Sequence, residues 1–253
     1  MLKLKEINKS FGEDSSNKKV IFDNFNLDVK KGEFVTVIGG NGCGKSTLMN
    51  LISGSVFPKK GQIFIDGKDV THAPEYKRAE LIGRVFQDPL KGTAPNLTVE
   101  ENLSLAFLKG EKKGLKFSIN KNKRDILKEK LKSLNLGLEN RLDTKMGLLS
   151  GGQRQAITLL MATLKKPKIL LLDEHTAALD PKSSEKILEI TEKVASDSEI
   201  TTLMITHNIR DSLKIGTRTI MLNLGKVVID LNGEYRKIMS AEKLQKLFDD
   251  INY

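Results

Sequence analysis

The chain has 253 residues, of which 39% are hydrophobic, a net charge of +10 and one cysteine. Its length suits one large domain or a core with a subdomain, and no run reaches the roughly 18 apolar residues of a membrane span. The opening MLKLKEINKS lacks the apolar stretch of a signal peptide, so any membrane role is expected to come through partner chains. The lone Cys43 excludes an intrachain disulfide and argues against a cysteine metal site, in keeping with a cytosolic setting. The positive charge fits nucleic acid, an anionic membrane or anionic ligands and does not choose among them.

In chain order, alternation at Leu2 and Leu4 and again at Phe25, Leu27 and Val29 predicts strands, with a turn at Gly32. EFVTVIGG reads as a buried strand running into glycines, and a helix is expected from about Thr47 to Ser53. GQIFIDGKDV predicts a strand pair turning at Asp66-Gly67, followed by a strand at GRVF. Thr98 and Glu101 form a capping box at the head of VEENLSLAFL. Leu127, Leu131 and Leu134 mark a further helix by their spacing. Ser150 caps the helix of GGQRQAITLLMATLKK, which closes before Pro167. LLLD reads as a buried strand, and Asp180-Pro181 opens another helix. TTLMIT and RTIML are the later strands, and Ser240 caps a C-terminal helix. The expected fold class is α/β: a mostly parallel sheet, an N-terminal antiparallel β subdomain, and a helical insertion at about residues 89–148 between core segments 1–88 and 149–253.

Two stretches carry the chemistry. GGNGCGKS satisfies G-x-x-x-x-G-K-[ST] directly after a strand and before a helix. Glycines let the backbone of Gly39, Asn41, Gly42, Cys43 and Gly44 curl so that its N–H groups converge on an anion, and the helix N-terminus adds its dipole. Lys45 then bridges the β- and γ-phosphates, the Ser46 hydroxyl ligates Mg²⁺ and Thr47 reaches toward the α-phosphate. A glycine-rich turn without a ligand is the plainer alternative. In LLLDEHTAALDP, two acids follow a buried strand, at the end of an open α/β sheet where ligands bind. Asp173 is placed to hold Mg²⁺, directly or through water. Glu174 lies beyond it, where a carboxylate orients and deprotonates an attacking water. The competing reading makes both acids helix-capping surface groups.

LLSGGQRQA, residues 148–156, separates this chain from other phosphate-loop proteins. With it, the sequence resembles the ATP-binding subunits of ABC transporters over nearly its full length. That resemblance implies ATP as the nucleotide and Mg²⁺ as the metal, since stacking alone would accept either purine. It implies that Phe11 in KSFG stacks on adenine, and that Gln87 in VFQDP senses the γ-phosphate and Mg²⁺. Ser150, Gly151, Gly152 and Gln153 match the signature loop, Ala178, Leu179 and Asp180 the loop between protomers, and His207 the histidine that contacts the γ-phosphate. The signature loop is a second anion site at a helix start; in the family it closes over the nucleotide of the other protomer of a homodimer. A plain N-cap at Ser150 is compatible with that role.

Phe11 stands where the family often has tyrosine, and His175 where it usually has proline, a substitution read as structural rather than catalytic. DEHTAALDPK, GRVFQDP and LLSGGQRQAITLLMATLKKPK are similar to a bacterial subgroup of importer ATPases assigned to tryptophan or tyrosine, with a separate permease and an extracytoplasmic solute-binding protein. The expected place is therefore the cytoplasmic face of the cell membrane, through permease subunits. Nucleic acid is not an expected partner. A soluble ABC ATPase serving iron–sulfur assembly, DNA repair or translation is the alternative, and a nucleotide kinase is disfavoured by the signature loop. Cys43 is read either as a reactive thiol lining the nucleotide site or as an inert filler turned into the core. Residues 109–124 hold seven Lys or Arg and one acid, which fits a solvated loop or a surface facing lipid head groups or a partner's acidic loop.

Overall fold

A computed structural model describes residues 1–12, 18–109 and 121–252. Most of the basic stretch at 109–124 therefore lies outside the described residues. The chain builds two sheets. The first is antiparallel, in the order β2-β1-β4-β5, from β1 (Leu2–Phe11), β2 (Lys19–Val29), β4 (Lys60–Ile65) and β5 (Lys68–Asp69). Asp66 and Gly67 both take positive φ at the β4–β5 turn, as the twist of a two-residue hairpin demands.

The second sheet has the order β10-β9-β3-β8-β7-β6. It contains β3 (Phe34–Gly39), β6 (Ile82–Val85), β7 (Ile169–Asp173), β8 (Thr201–Ile205), β9 (Arg218–Asn223) and β10 (Lys226–Asn232). All neighbours pair in parallel except β10, which runs antiparallel to β9. Every residue of β3 is buried, because helices or the other sheet cover both faces of this layer. Alternation divides β7 between two cores: Ile169 and Leu171 pack with α1 (Lys45–Ser53) and the antiparallel sheet. Leu170 and Leu172 pack with α5 (Gly151–Thr163) and α6 (Pro181–Asp197) on the opposite face.

Between β6 and α5 the described chain holds α3 (Val99–Phe107), α4 (Lys121–Lys132) and short 3-10 turns. The Thr98–Glu101 capping box is present in full. Four elements depart from the sequence expectation. α2 (Glu75–Arg78), α7 (Ile209–Lys214) and α8 (Gly233–Lys237) are too short to show a periodicity, and β10 is half-exposed at a sheet edge. The first long helix starts at Lys45, about two residues earlier than expected, because the phosphate loop itself winds into it. The C-terminal helix α9 (Ala241–Asn252) follows Ser240, whose hydroxyl accepts from Lys243 N at 3.2 Å. Its Leu244 completes a small core with Ile38, Ile209, Met221 and Leu231.

Candidate nucleotide site

Parallel order turns separate sequence motifs into neighbours. Adjacent strands β3, β8, β7 and β6 end, respectively, at the phosphate loop, just before His207, at Asp173-Glu174, and just before Gln87. All four lie at the carboxyl edge of the sheet, where such folds bind ligands. A separate cavity of 510 Å³, lined by Lys31, Phe34, Glu192 and Thr217 among others, opens at the other end of β3. It is not the site these motifs build.

The phosphate loop is shaped by backbone that only glycine tolerates. Gly39 has φ of +154°, and a Cβ there would lie 2.3 Å from Leu222 O and 2.7 Å from Cys43 Sγ. Gly44 has φ of +114° and a Cβ would meet Phe22 Cζ at 2.9 Å. Gly44 is also the N-cap of α1 and supplies no side-chain cap, so the first N–H groups of that helix are left for an anion. Lys45 is buried, and its Nζ donates to Gly39 O at 2.7 Å and Gly40 O at 3.0 Å, which draws the loop around the ammonium. Asn41, Gly42 and Ser46 are exposed and Thr47 is half-buried. Cys43 is turned inward and packs in the core with Phe22 and Val37. The reading of a reactive thiol lining the site is thus corrected: close packing around Gly39 takes the sulfur inward, so the backbone is what Cys43 offers the loop.

At the tip of β7, burial raises the pKa of Asp173, opposed by the Arg84 guanidinium, whose Nη2 stands 3.6 Å from Asp173 Oδ2. Glu174 adopts φ of +47° and its N–H donates to Ile205 O at 3.1 Å. Such left-handed backbone costs about 1–2 kcal/mol in a non-glycine residue. It turns the carboxylate toward β8, where Glu174 Oε1 lies 2.6 Å from His207 Nε2. The carboxylate that the strand tip marks as the candidate base and the histidine that the resemblance places at the γ-phosphate are therefore direct neighbours. Gln87 is exposed just beyond β6. Phe11 is 43% exposed at the end of β1, with Lys9 Nζ over its ring, 4.8 Å from the centroid.

His175 does not join this group. It is 2% exposed, and its Nε2 lies 3.0 Å from Thr191 Oγ1 on α6. The Thr191 hydroxyl donates to Ile187 O at 2.7 Å, so the imidazole must carry its proton on Nε2 and donate. Burial lowers its pKa to about 4. A neutral ring bracing the strand tip against α6 agrees with the structural reading of this position.

The signature turn is a helix start with local bonds. Ser150 Oγ accepts from Gln153 N and Gln153 Oε1 from Ser150 N, both at 3.3 Å. A Cβ on Gly151 would meet Leu179 at 3.2 Å and one on Gly152 would meet Ser183 at 3.0 Å. The signature turn thus packs on the start of α6, where Asp180 caps that helix by accepting from Ser183 N at 3.0 Å. Ser150 and Gly151 remain exposed. Sequence reasoning passed over Arg84; the available signal was a charged residue inside the apolar strand IGRV.

The family described as ABC transporter matches residues 22–177. The chain is 46% identical over 249 residues to a tyrosine transport ATP-binding protein of Clostridioides difficile strain R20291, covering 98% of this chain and 99% of that one. It is 35% identical to the spermidine/putrescine import ATP-binding protein PotA of Spiroplasma citri, over 90% of this chain but 60% of that longer relative. Among solved structures, the dimeric post-hydrolysis state of the ATP-binding cassette MJ0796 bound to ADP and Pi superposes with a TM-score of 0.77 at 32% identity, over 92% of this chain and 98% of that one.

Proposed function

This chain belongs to the ABC transporter family as an ATP-binding subunit, and from that membership we propose that it powers import of an aromatic amino acid such as tyrosine from beneath a membrane permease. The observation that carries the catalytic part is the Glu174–His207 pair at 2.6 Å beside the glycine loop. The tyrosine transport relative supports the substrate class.

In this reading, the N–H groups of residues 39–44 and the start of α1 hold the phosphates, and Lys45 neutralises them. Phe11 stacks on the adenine. Glu174 accepts a proton from the attacking water, while His207 orients the carboxylate and reaches the γ-phosphate. Ser46, Asp173 and Gln87 offer only oxygen ligands, the donor set a hard cation takes. A Mg²⁺ held there would supply charge neutralisation for the phosphates. Among the described residues no cluster of three or more His, Cys, Asp or Glu side chains is poised around one ion position, so phosphate and water would complete such a site.

Ser150, Gly151, Gly152 and Gln153 close over the nucleotide of a second copy, with Asp180 lining the seam; the dimeric MJ0796 cassette bound to ADP and Pi supports the pairing of two copies. Residues 1–88 and 149–253 serve as the nucleotide core and 89–148 as the helical subdomain that meets the permease. No helix among the described residues is long and apolar enough to cross a membrane. Likeness to transport ATP-binding proteins supports reading the subunit as peripheral, on the cytoplasmic face, with an extracytoplasmic binding protein acting through the permease.

Glu174→Gln keeps the shape of the carboxylate and removes the base. Hydrolysis is expected to fall at least about 100-fold with ATP affinity retained. Hydrolysis near the wild-type rate would remove Glu174 from the mechanism. For the substrate, tyrosine uptake should vanish in cells carrying that variant, and unchanged uptake would refute the transport assignment.

A further inference from the structure

Arg84 lies on β6, three residues before Gln87, with a side chain only 14% exposed. Its guanidinium is tied to α1 on one edge: Nη1 lies 3.2 Å from Ser53 Oγ and Nη2 donates to Asn50 Oδ1 at 2.9 Å. The same Nη2 stands 3.6 Å from Asp173 Oδ2 at the tip of β7. Phe86 covers the group, with its ring centroid 4.8 Å from Cζ, while Nε is buried without a partner among the described residues.

Helical spacing gives this lacing a direction. Ser46, Asn50 and Ser53 stand at i, i+4 and i+7 of α1 and share one face of that helix. The face that carries Ser46 is thus fastened through one planar, rigid fork to the strand end that carries Asp173. Those are two of the proposed oxygen ligands, and they come from different elements.

We infer that Arg84 is a positioning residue for the metal–nucleotide complex: it sets the distance and orientation between the α1 face carrying Ser46 and the Asp173 carboxylate. The inference rests on the reading of Ser46 and Asp173 as metal ligands. A positive charge here also opposes an incoming cation. Positioning outweighs that repulsion, because Asp173 already balances the guanidinium, whereas an untethered helix face and carboxylate would both have to be ordered by the metal.

The test measures binding of a fluorescent, non-hydrolysable ATP analogue in Mg²⁺ and in EDTA, for wild type, Arg84→Met, Arg84→Lys and Asp173→Asn. Arg84→Met is expected to lose about 10- to 100-fold of the affinity gained from Mg²⁺, with affinity in EDTA unchanged. Lysine keeps the charge but cannot span Asn50 and Ser53 together, so it should resemble methionine. Recovery by lysine would make the effect one of charge and overturn positioning. Equal losses in Mg²⁺ and EDTA would reduce Arg84 to a packing role and also overturn it. If Asp173→Asn loses the Mg²⁺ gain while Arg84→Met keeps it, this inference fails and the metal reading stands; if both keep it, the metal reading fails as well. Should Arg84→Met not fold, the double variant Asn50→Ala/Ser53→Ala cuts the same lacing from the α1 side. It is expected to show the same selective loss, and a full Mg²⁺ gain in it would refute the inference.

Discussion

His175 sits between Glu174 and the start of α6, yet its ring is withdrawn from solvent and bonded to Thr191. Because burial holds its folded pKa near 4, below the ordinary value of about 6.5, the unfolded chain takes up the proton first as pH falls. This position therefore contributes no penalty above pH 6.5, and stability drains away between about 6.5 and 4, by up to about 3 kcal/mol. His175→Leu should flatten that acid slope in urea denaturation at a series of pH values. The Thr191 hydroxyl keeps its own donation to Ile187 O, so the variant strands no donor. An acid slope as steep as that of wild type would show that other groups govern it. The neighbouring Glu174 takes a left-handed backbone and meets His207 at 2.6 Å, the contact on which the proposed chemistry rests.

Helix α1 illustrates how an element is held at both ends. Its N-terminus carries no side-chain cap, while its C-terminus is closed from inside by Arg78, which is 1% exposed. Arg78 Nη1 donates to Leu51 O at 2.6 Å and Ile52 O at 2.8 Å, Nη2 to Thr71 O at 2.9 Å and Nε to Ala73 O at 2.8 Å. A cation at this end also suits the helix dipole, although burial lowers the guanidinium pKa to about 10. Arg78→Met would leave four carbonyls without this donor set. It is expected to cost about 3–5 kcal/mol in chemical denaturation, and Arg78→Lys should recover only part. A loss below about 1 kcal/mol would mean that water or relaxed backbone replaces the fork.

At the scale of the whole molecule, the proposed site joins the exposed signature turn of one copy to the phosphate loop of another. With Glu174→Gln and saturating ATP, the protein is expected to migrate as a dimer in size-exclusion chromatography, and as a monomer without nucleotide. Ser150→Arg in the same background should abolish the dimer, since a bulky cation at an exposed N-cap blocks close approach and the capping bond to Gln153 is lost. Persistence of the dimer in that variant would place the contact elsewhere. A polytopic membrane protein recovered with the tagged subunit supports the transporter, and soluble scaffold proteins alone would support the iron–sulfur alternative.

Local chemistry was enough for the phosphate loop, the LLLDEH strand tip, the capping box at Thr98, the N-cap at Ser150 and the α/β class, because each depends on residues within one turn or one strand. Contiguous glycines, an apolar run ending in acids and a serine before a helix are visible wherever they stand in the fold. Short elements were not legible: α2, α7 and β10 owe their form to the sheet edges and cores they join. The tertiary structure alone decided that Cys43 points inward, that His175 pairs with Thr191, that His207 meets Glu174 and that Arg84 stands between α1 and Asp173. These contacts join residues from separate strands, helices and loops, so they arise only when parallel strand order brings those elements to one edge. Pattern along the chain specifies which groups a strand end carries, whereas packing around that edge specifies which of them touch.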